Sequence, residues 1–275
     1  MVLRATFQHL PTVGPRTEAF LWSQGVRDWG MFPESPPFRG VGRDRWDRIR
    51  AGLAESEEAL RRRDAGYFAR RLPASEHWRL YREFQDRTAF LDIETTGLSP
   101  YQGYITVVTV HGGDVTRTFQ QGEDLPEVGA FLSRYALLVT FNGSLFDVPF
   151  LEAHFPEIRF PPAHADLRFL LRRIGQRGGL KVIEKRLGMG HRDGVEGIDG
   201  LEAVRLWNAH LRGVPGALER LVDYNRADTV NLEPLMRYAV GEMERRLLHA
   251  EVPEMVADST SDARLEWKHE ILRGD

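Results

Sequence analysis

The sequence predicts an α/β domain preceded by a mainly helical region, on three observations. From Thr88 onward the chain offers β-type runs of Val, Ile, Thr and Phe broken by glycine turns. A further apolar run follows near Leu137, and helix formers then dominate to about Leu248. Residues 1–85 are instead rich in helix formers, Trp and Arg, with no strong strand signal and a proline-rich break at "MFPESPPFRG".

In chain order, the first structured stretch is "HLPTVGPRTEAFLWSQGVRDW", with a turn at Gly14-Pro15 and an apolar-periodic helix through Ala19, Phe20, Leu21 and Trp22. Two accounts of it stand. It resembles a helix-hairpin-helix element, whose turn offers backbone N–H groups to a nucleic-acid phosphate, although Thr12 stands where that motif has its first glycine. The other account is a helical corner packed by Trp22 and Trp29. Next come "TAFLDIE", "YITVVTVHGG" and "DVTRTFQQG", so closely joined at Gly97, Gly103 and Gly112-Gly113 that they predict an antiparallel meander. A helix near "LPEVGAFLSRY" leads into "ALLVTFNG", and the chain closes on a polar tail. The expected division is a helical accessory region at 1–85, with the helix-hairpin-helix as one of its two accounts, an α/β domain at 86–248, and a tail at 249–275.

Composition narrows the chemistry. The 275 residues are 42% apolar, enough for one large core or two modest ones. No apolar run is long enough to span a bilayer and "MVLRATFQHLPTV" lacks an export pattern, so the expected location is the cytoplasm, without membrane contact. With no cysteine, disulfides, thiolate zinc sites and cysteine nucleophiles are excluded, and any metal must bind oxygen or imidazole. Net charge is −3, but cations cluster locally at Arg168, Arg172, Arg173, Arg177, Lys181, Lys185, Arg186 and Arg192. Such a run either tracks phosphates or forms solvated helix faces.

Three motifs carry chemistry. In "AFLDIETTGLSP", Asp92 and Glu94 are alternate residues of a strand and project to one face, with Leu91 and Ile93 on the other, toward the expected core. Adjacent carboxylates repel and resist burial unless a cation lies between them, and Mg²⁺ or Mn²⁺ meets that need. In "LVTFNGSLFDVPFLEAHF", Asp147 falls in the first turn of a helix. There it is either the N3 residue of a box capped by Ser144 or a ligand group at a sheet end. In "LVDYNRADTVNLEPLMRY", Tyr224 and Asp228 are one helical turn apart. They are either a surface pair, with Leu221, Val222, Val230 and Leu232 on the buried face, or two groups addressing one centre.

Together and in this order, the motifs resemble the DEDD superfamily of 3′–5′ exonucleases, in the subclass with a tyrosine in the third motif. "FNGSLFDVPFL", "HADL", "GGLKVIEKRLGM", "GIDGLEAVRLW" and "YNRADTVNLEPL" are similar to the YprB-type branch over roughly residues 86–240. The resemblance implies a ribonuclease-H-like mixed sheet flanked by helices. It implies that Asp92, Glu94, Asp147 and Asp228 bind two Mg²⁺ or Mn²⁺ ions, and that Tyr224 orients or deprotonates the attacking water. Two-metal phosphodiester hydrolysis suits such an acid set, and an unperturbed phenol with a pKa of about 10 is a poor base without a metal-bound water. The expected partner is nucleic acid, single-stranded DNA ahead of RNA; an RNA exonuclease and a noncatalytic binding module are the rival functions. Leu98 and Tyr101 either stack on a terminal base or pack, Asp166 is expected to cap the helix from Leu167, and Lys181 is expected to be solvated.

Overall fold

The computed structural model describes residues 2–35, 42–192, 194–195 and 197–248; the expected tail at 249–275 lies outside them. The chain forms two units, Met1–Pro73 with Glu244–Asp275, and Ala74–Met243.

The first unit holds α1 (Pro15–Ser23), α2 (Arg43–Arg61) and α3 (Ala65–Ala69). Proline opens α1, where its missing N–H costs nothing. The described residues before it form turns, so the pair of helices a helix-hairpin-helix requires is not there, and that expectation is corrected. Tertiary hydrogen bonds explain why. The Trp22 and Trp29 indoles donate to the Ala5 and Thr6 carbonyls at 2.8 and 2.7 Å, and the buried Glu18 carboxylate accepts from the Phe7 amide at 2.7 Å. Side chains thus satisfy backbone groups that helical bonds would otherwise take up.

The second unit opens with a 3-10 turn at Ala74–Leu80, where Trp78 and Leu80 are buried, and Tyr81 just after it is buried too. The Tyr81 ring lies edge-on to Phe90 at 6.5 Å, so this unit takes in residues ahead of position 86. Its strands are β1 (Thr88–Thr95), β2 (Ile105–Gly112), β3 (Val115–Gln120), β4 (Leu137–Thr140) and β5 (Ala163–Asp166). They form one mixed five-stranded sheet in the order β3-β2-β1-β4-β5. The expected meander is present as antiparallel β1–β2 and β2–β3 pairs, while β4 runs parallel to β1, and β5 to β4. The helices are α4 (Val128–Leu132), α5 (Asp147–His154), α6 (Leu167–Arg173), α7 (Leu180–Leu187), α8 (Gly200–Leu211), α9 (Ala217–Val230) and α10 (Leu232–Leu248). Pro234 sits in the first turn of α10, a position proline tolerates, so the chain breaks at Asn231 rather than at the proline. No helix among the described residues is long and apolar enough to cross a membrane.

Apolar side chains cover both faces of the sheet. Ala89, Leu91 and Ile93 join Val108, Val110, Phe119, Phe150 and Leu151 on one side. Val107 packs with Leu206, Trp207, Leu221 and Tyr224 of α8 and α9 on the other. The sequence expectation of one core face is therefore incomplete, because Phe90, on the face of the acids, is also buried. Parallel pairs need helical crossovers, and crossovers place helices over both faces.

Candidate metal centre

Pairing between β1 and β4 stops at Phe90, so the last part of β1 runs past its parallel neighbour and presents Asp92 and Glu94 at the carboxyl end of the parallel strands. Crevices at that end are where α/β sheets place ligands. After β4 the chain turns at Asn142, whose φ of 67° is left-handed, and Gly143, where a Cβ would sit 2.5 Å from the Thr140 side chain. The turn delivers Asp147 to the first position of α5 behind Phe146, which makes no side-chain cap. The capping-box account fails here: Ser144 is not the cap but donates its hydroxyl to Asp166 at 2.6 Å. Asp166 also accepts from the Asn142 and Arg168 amides at 2.8 and 3.0 Å, so it caps α6 as expected and clamps the turn as well. Asp147 itself is buried.

The surface-pair account of the third motif is likewise overturned. On α9 the buried positions are Ala217, Leu221, Tyr224, Asn225, Asp228 and Thr229, a spacing of three and four that turns Tyr224 and Asp228 into the site.

Carboxylate oxygens of Asp92, Glu94 and Asp228 lie within 4.8 Å of one another. Asp147 is outside that spacing, yet close enough to act on Asp92 and Glu94 through its charge. Burial, then the fields of Asp147, Asp228 and Glu94, hold Asp92 well above the usual carboxylate range. Asp92 keeps some accessible surface, but protein atoms crowd its carboxyl closely enough that burial remains the leading cause. Burial followed by Asp228 and Asp147 does the same to Glu94, against Lys181, which lowers it. Asp147 is pushed to about 7 by burial, with its own backbone amide and that of Ile93 opposing. The Tyr224 phenol is raised far beyond its ordinary value by burial, then by Asp228, Glu94 and Asp92.

Several residues outside the four acids and the tyrosine also enter the centre. Asn225, fully buried, donates its Nδ2 to Asp92 Oδ2 at 2.8 Å, while its Oδ1 has no protein partner. Lys181, expected to be solvated, is half-buried and donates to the Tyr224 hydroxyl at 2.9 Å. Arg192 pairs with Asp228 and with Glu184. The signal for Asn225 was the helical spacing from Leu221; Lys181 and Arg192 had only their places in a basic run. The rest of that run divides. Arg173 bonds Ser75 and Glu76, Arg186 bonds Gln176 and Arg177, and Arg172, Arg177 and Lys185 are exposed. Leu98 and Tyr101, beyond β1, are each 91% exposed, so neither is ordinary packing.

The donor set fits a hard divalent cation. All the clustered acid ligand atoms are oxygens, they crowd where water cannot separate their charges, and the Asn225 carbonyl beside Asp92 is an unused buried acceptor.

A family model described as RNase_H superfamily matches residues 89–240. Among solved structures, the family B DNA polymerase of the archaeon Pyrobaculum calidifontis is similar at 16% identity and TM-score 0.42, over 58% of this chain and 24% of its own. Brucella melitensis NrnC is similar at 16% identity and TM-score 0.41, over 68% of this chain and 84% of its own. Escherichia coli RNase D, an exoribonuclease involved in structured RNA processing, is similar at 17% identity and TM-score 0.43, over 72% of this chain and 48% of its own. The chain thus spans about a quarter of the polymerase and about half of RNase D. No curated protein matches it.

Proposed function

This chain belongs to the RNase_H superfamily, and on that premise we propose that it is a metal-dependent 3′–5′ exonuclease of the DEDD type, in the tyrosine subclass and its YprB-like branch. The observation that supports the reading is the meeting of acids from β1 and α9 at one buried centre beside the phenol of Tyr224, with Asp147 of α5 near enough to act on them through its charge. Asp92, Glu94, Asp147 and Asp228 would hold two Mg²⁺ or Mn²⁺ ions. When bound, such ions activate water and neutralise charge on the phosphate. Tyr224, kept protonated by burial and by the carboxylates around it, orients the attacking water through its hydroxyl, and Lys181 fixes that hydroxyl in place. The exposed Leu98 and Tyr101 are suited to stacking on the terminal base, and Arg172, Arg177 and Lys185 to the strand's phosphates.

The substrate class is a nucleic acid with a free single-stranded 3′ end. Without a helix-hairpin-helix, the feature that favoured DNA is gone, so DNA and RNA belong in the same assay. Purified protein is expected to shorten a 5′-labelled strand stepwise with Mg²⁺ or Mn²⁺ and to stop when the 3′ end is blocked. Asp92→Ala should cost at least about a thousandfold, the scale at which loss of one member of a catalytic unit is felt. Ion-dependent binding without cleavage of either strand would instead mark a noncatalytic module.

A further inference from the structure

Two of the residues that reach the centre, Arg192 and Asn225, have no part in the proposed reaction, and both grip proposed ligands. Arg192 lies in the glycine-rich loop between α7 and α8, and its guanidinium is held from behind. Nε and Nη2 donate to the two oxygens of Glu184 at 2.6 and 2.9 Å, and that carboxylate is 97% shielded from solvent. The loop backbone is pinned as well. The Asn231 side chain accepts from the His191 amide at 3.1 Å. Gly190, at φ 94°, comes so near that a Cβ would stand 2.9 Å from Asn231 Nδ2. With the fork engaged on Glu184, the remaining nitrogen, Nη1, forms an ion pair with Asp228 Oδ1, a close charge contact without hydrogen-bond alignment. On Asp92 the same thing is done by a neutral donor: Asn225 Nδ2 takes up Oδ2. Asn225 is rooted in α9 and has no freedom to leave, being fully buried.

One oxygen of Asp92 therefore accepts a hydrogen bond from a fixed donor, and one oxygen of Asp228 faces a fixed cation. Carboxylates restrained in this way suit some cations better than others. Ca²⁺ takes six to eight oxygens and readily grips both oxygens of one carboxylate, whereas Mg²⁺ demands about six oxygens in tight octahedral order and keeps several waters. We infer that Arg192 and Asn225 are positioning residues that hold Asp228 and Asp92 as one-oxygen ligands, and so bias the centre toward Mg²⁺ or Mn²⁺ and against Ca²⁺. This rests on the nuclease reading only in taking those two acids as metal ligands. The fixed cation adds to the bias, because any ion approaching Asp228 from the Oδ1 side meets the Arg192 charge.

The test is ion binding to the full chain without nucleic acid, by calorimetry with Mn²⁺ and Ca²⁺ separately, on wild type, Arg192→Gln, Arg192→Lys and Asn225→Ala. Thermal melts establish which variants are folded. Arg192→Gln and Asn225→Ala are each expected to strengthen Ca²⁺ relative to Mn²⁺ by about tenfold, the usual scale for changing a ligand's hydrogen-bonded partner. Arg192→Lys, keeping the charge without the fork, should fall between wild type and Arg192→Gln. The two sites lie on different elements, so the test survives if one variant fails to fold. An unchanged Mn²⁺/Ca²⁺ ratio in the folded variants, or an equal loss of both ions, overturns the inference and leaves the nuclease reading standing. A wild-type chain that binds neither ion overturns both.

Discussion

Tyr224 is where single-residue chemistry is most exposed to test. Its phenol is buried, surrounded by three carboxylates and touched by one ammonium, and burial first, then the carboxylates, keep it protonated. A group so held donates a hydrogen bond rather than removing a proton. Tyr224→Phe is thus expected to lower the single-turnover rate by about a hundredfold, at the low end of what positioned proton-handling groups contribute. Mn²⁺ affinity, measured by calorimetry, should stay close to wild type. If the variant lost the ion as Asp228→Asn is expected to, the orienting role would be wrong. That Asp92 shares a face with Glu94, and Tyr224 with Asp228, was legible from strand and helix periods; that the two pairs address one centre was implied only by the resemblance of the joined motifs. Asn225 lay on that same helical face, but an isolated polar residue on a helix carries no sign of its partner, which here is more than a hundred residues away. Lys181 was hidden for the opposite reason: its type is so often solvated that only coordinates distinguish the exception.

At the level of elements, the turn from β4 into α5 determines where Asp147 goes. Gly143→Ala would press a methyl group against Thr140 and is expected to cost about 1–3 kcal/mol, the range for overpacking a tight site. Thermal melts would read that loss. Activity should fall further than stability alone explains, since the same shift moves Asp147. Asp166→Ala removes the clamp from the other side, leaving the Asn142, Ser144 and Arg168 amides without their acceptor, and about 2 kcal/mol should go with it. The meander was readable, since its strands are six to eight residues of β-branched and aromatic type. β5 was not, being four residues of Ala, His, Ala and Asp that pair only because β4 lies alongside. The capping box was a fair local reading defeated by a tertiary partner, as Ser144 found Asp166 instead of the helix end.

For the molecule as a whole, the acids couple folding to pH. Asp147 has an ordinary value of 3.8 and is raised to about 7 in the fold, and Asp92 and Glu94 are raised as well. The folded chain thus binds more protons than the unfolded one across this interval. Stability is full below about 4 and falls as pH rises through about 7. Melting curves in chelator should show that decline, and saturating Mn²⁺ should reverse it, with a gain in Tm that grows with pH because the ligands must shed protons to bind. A gain that shrank with rising pH would contradict the shifts. The division into two units was only partly visible. Trp78, Leu80, Tyr81 and Phe84 are all buried, but they sit in tight turns, and neither strand nor helix period has anything to grip there.

The order in which the chain supplies its acids has a consequence for synthesis. Asp92, Glu94 and Asp147 emerge from the ribosome early, whereas Asp228 and Tyr224 arrive only with α9. A nascent or prematurely terminated polypeptide that stops short of α9 therefore carries an incomplete set of acids, and the centre closes only once that helix has been made.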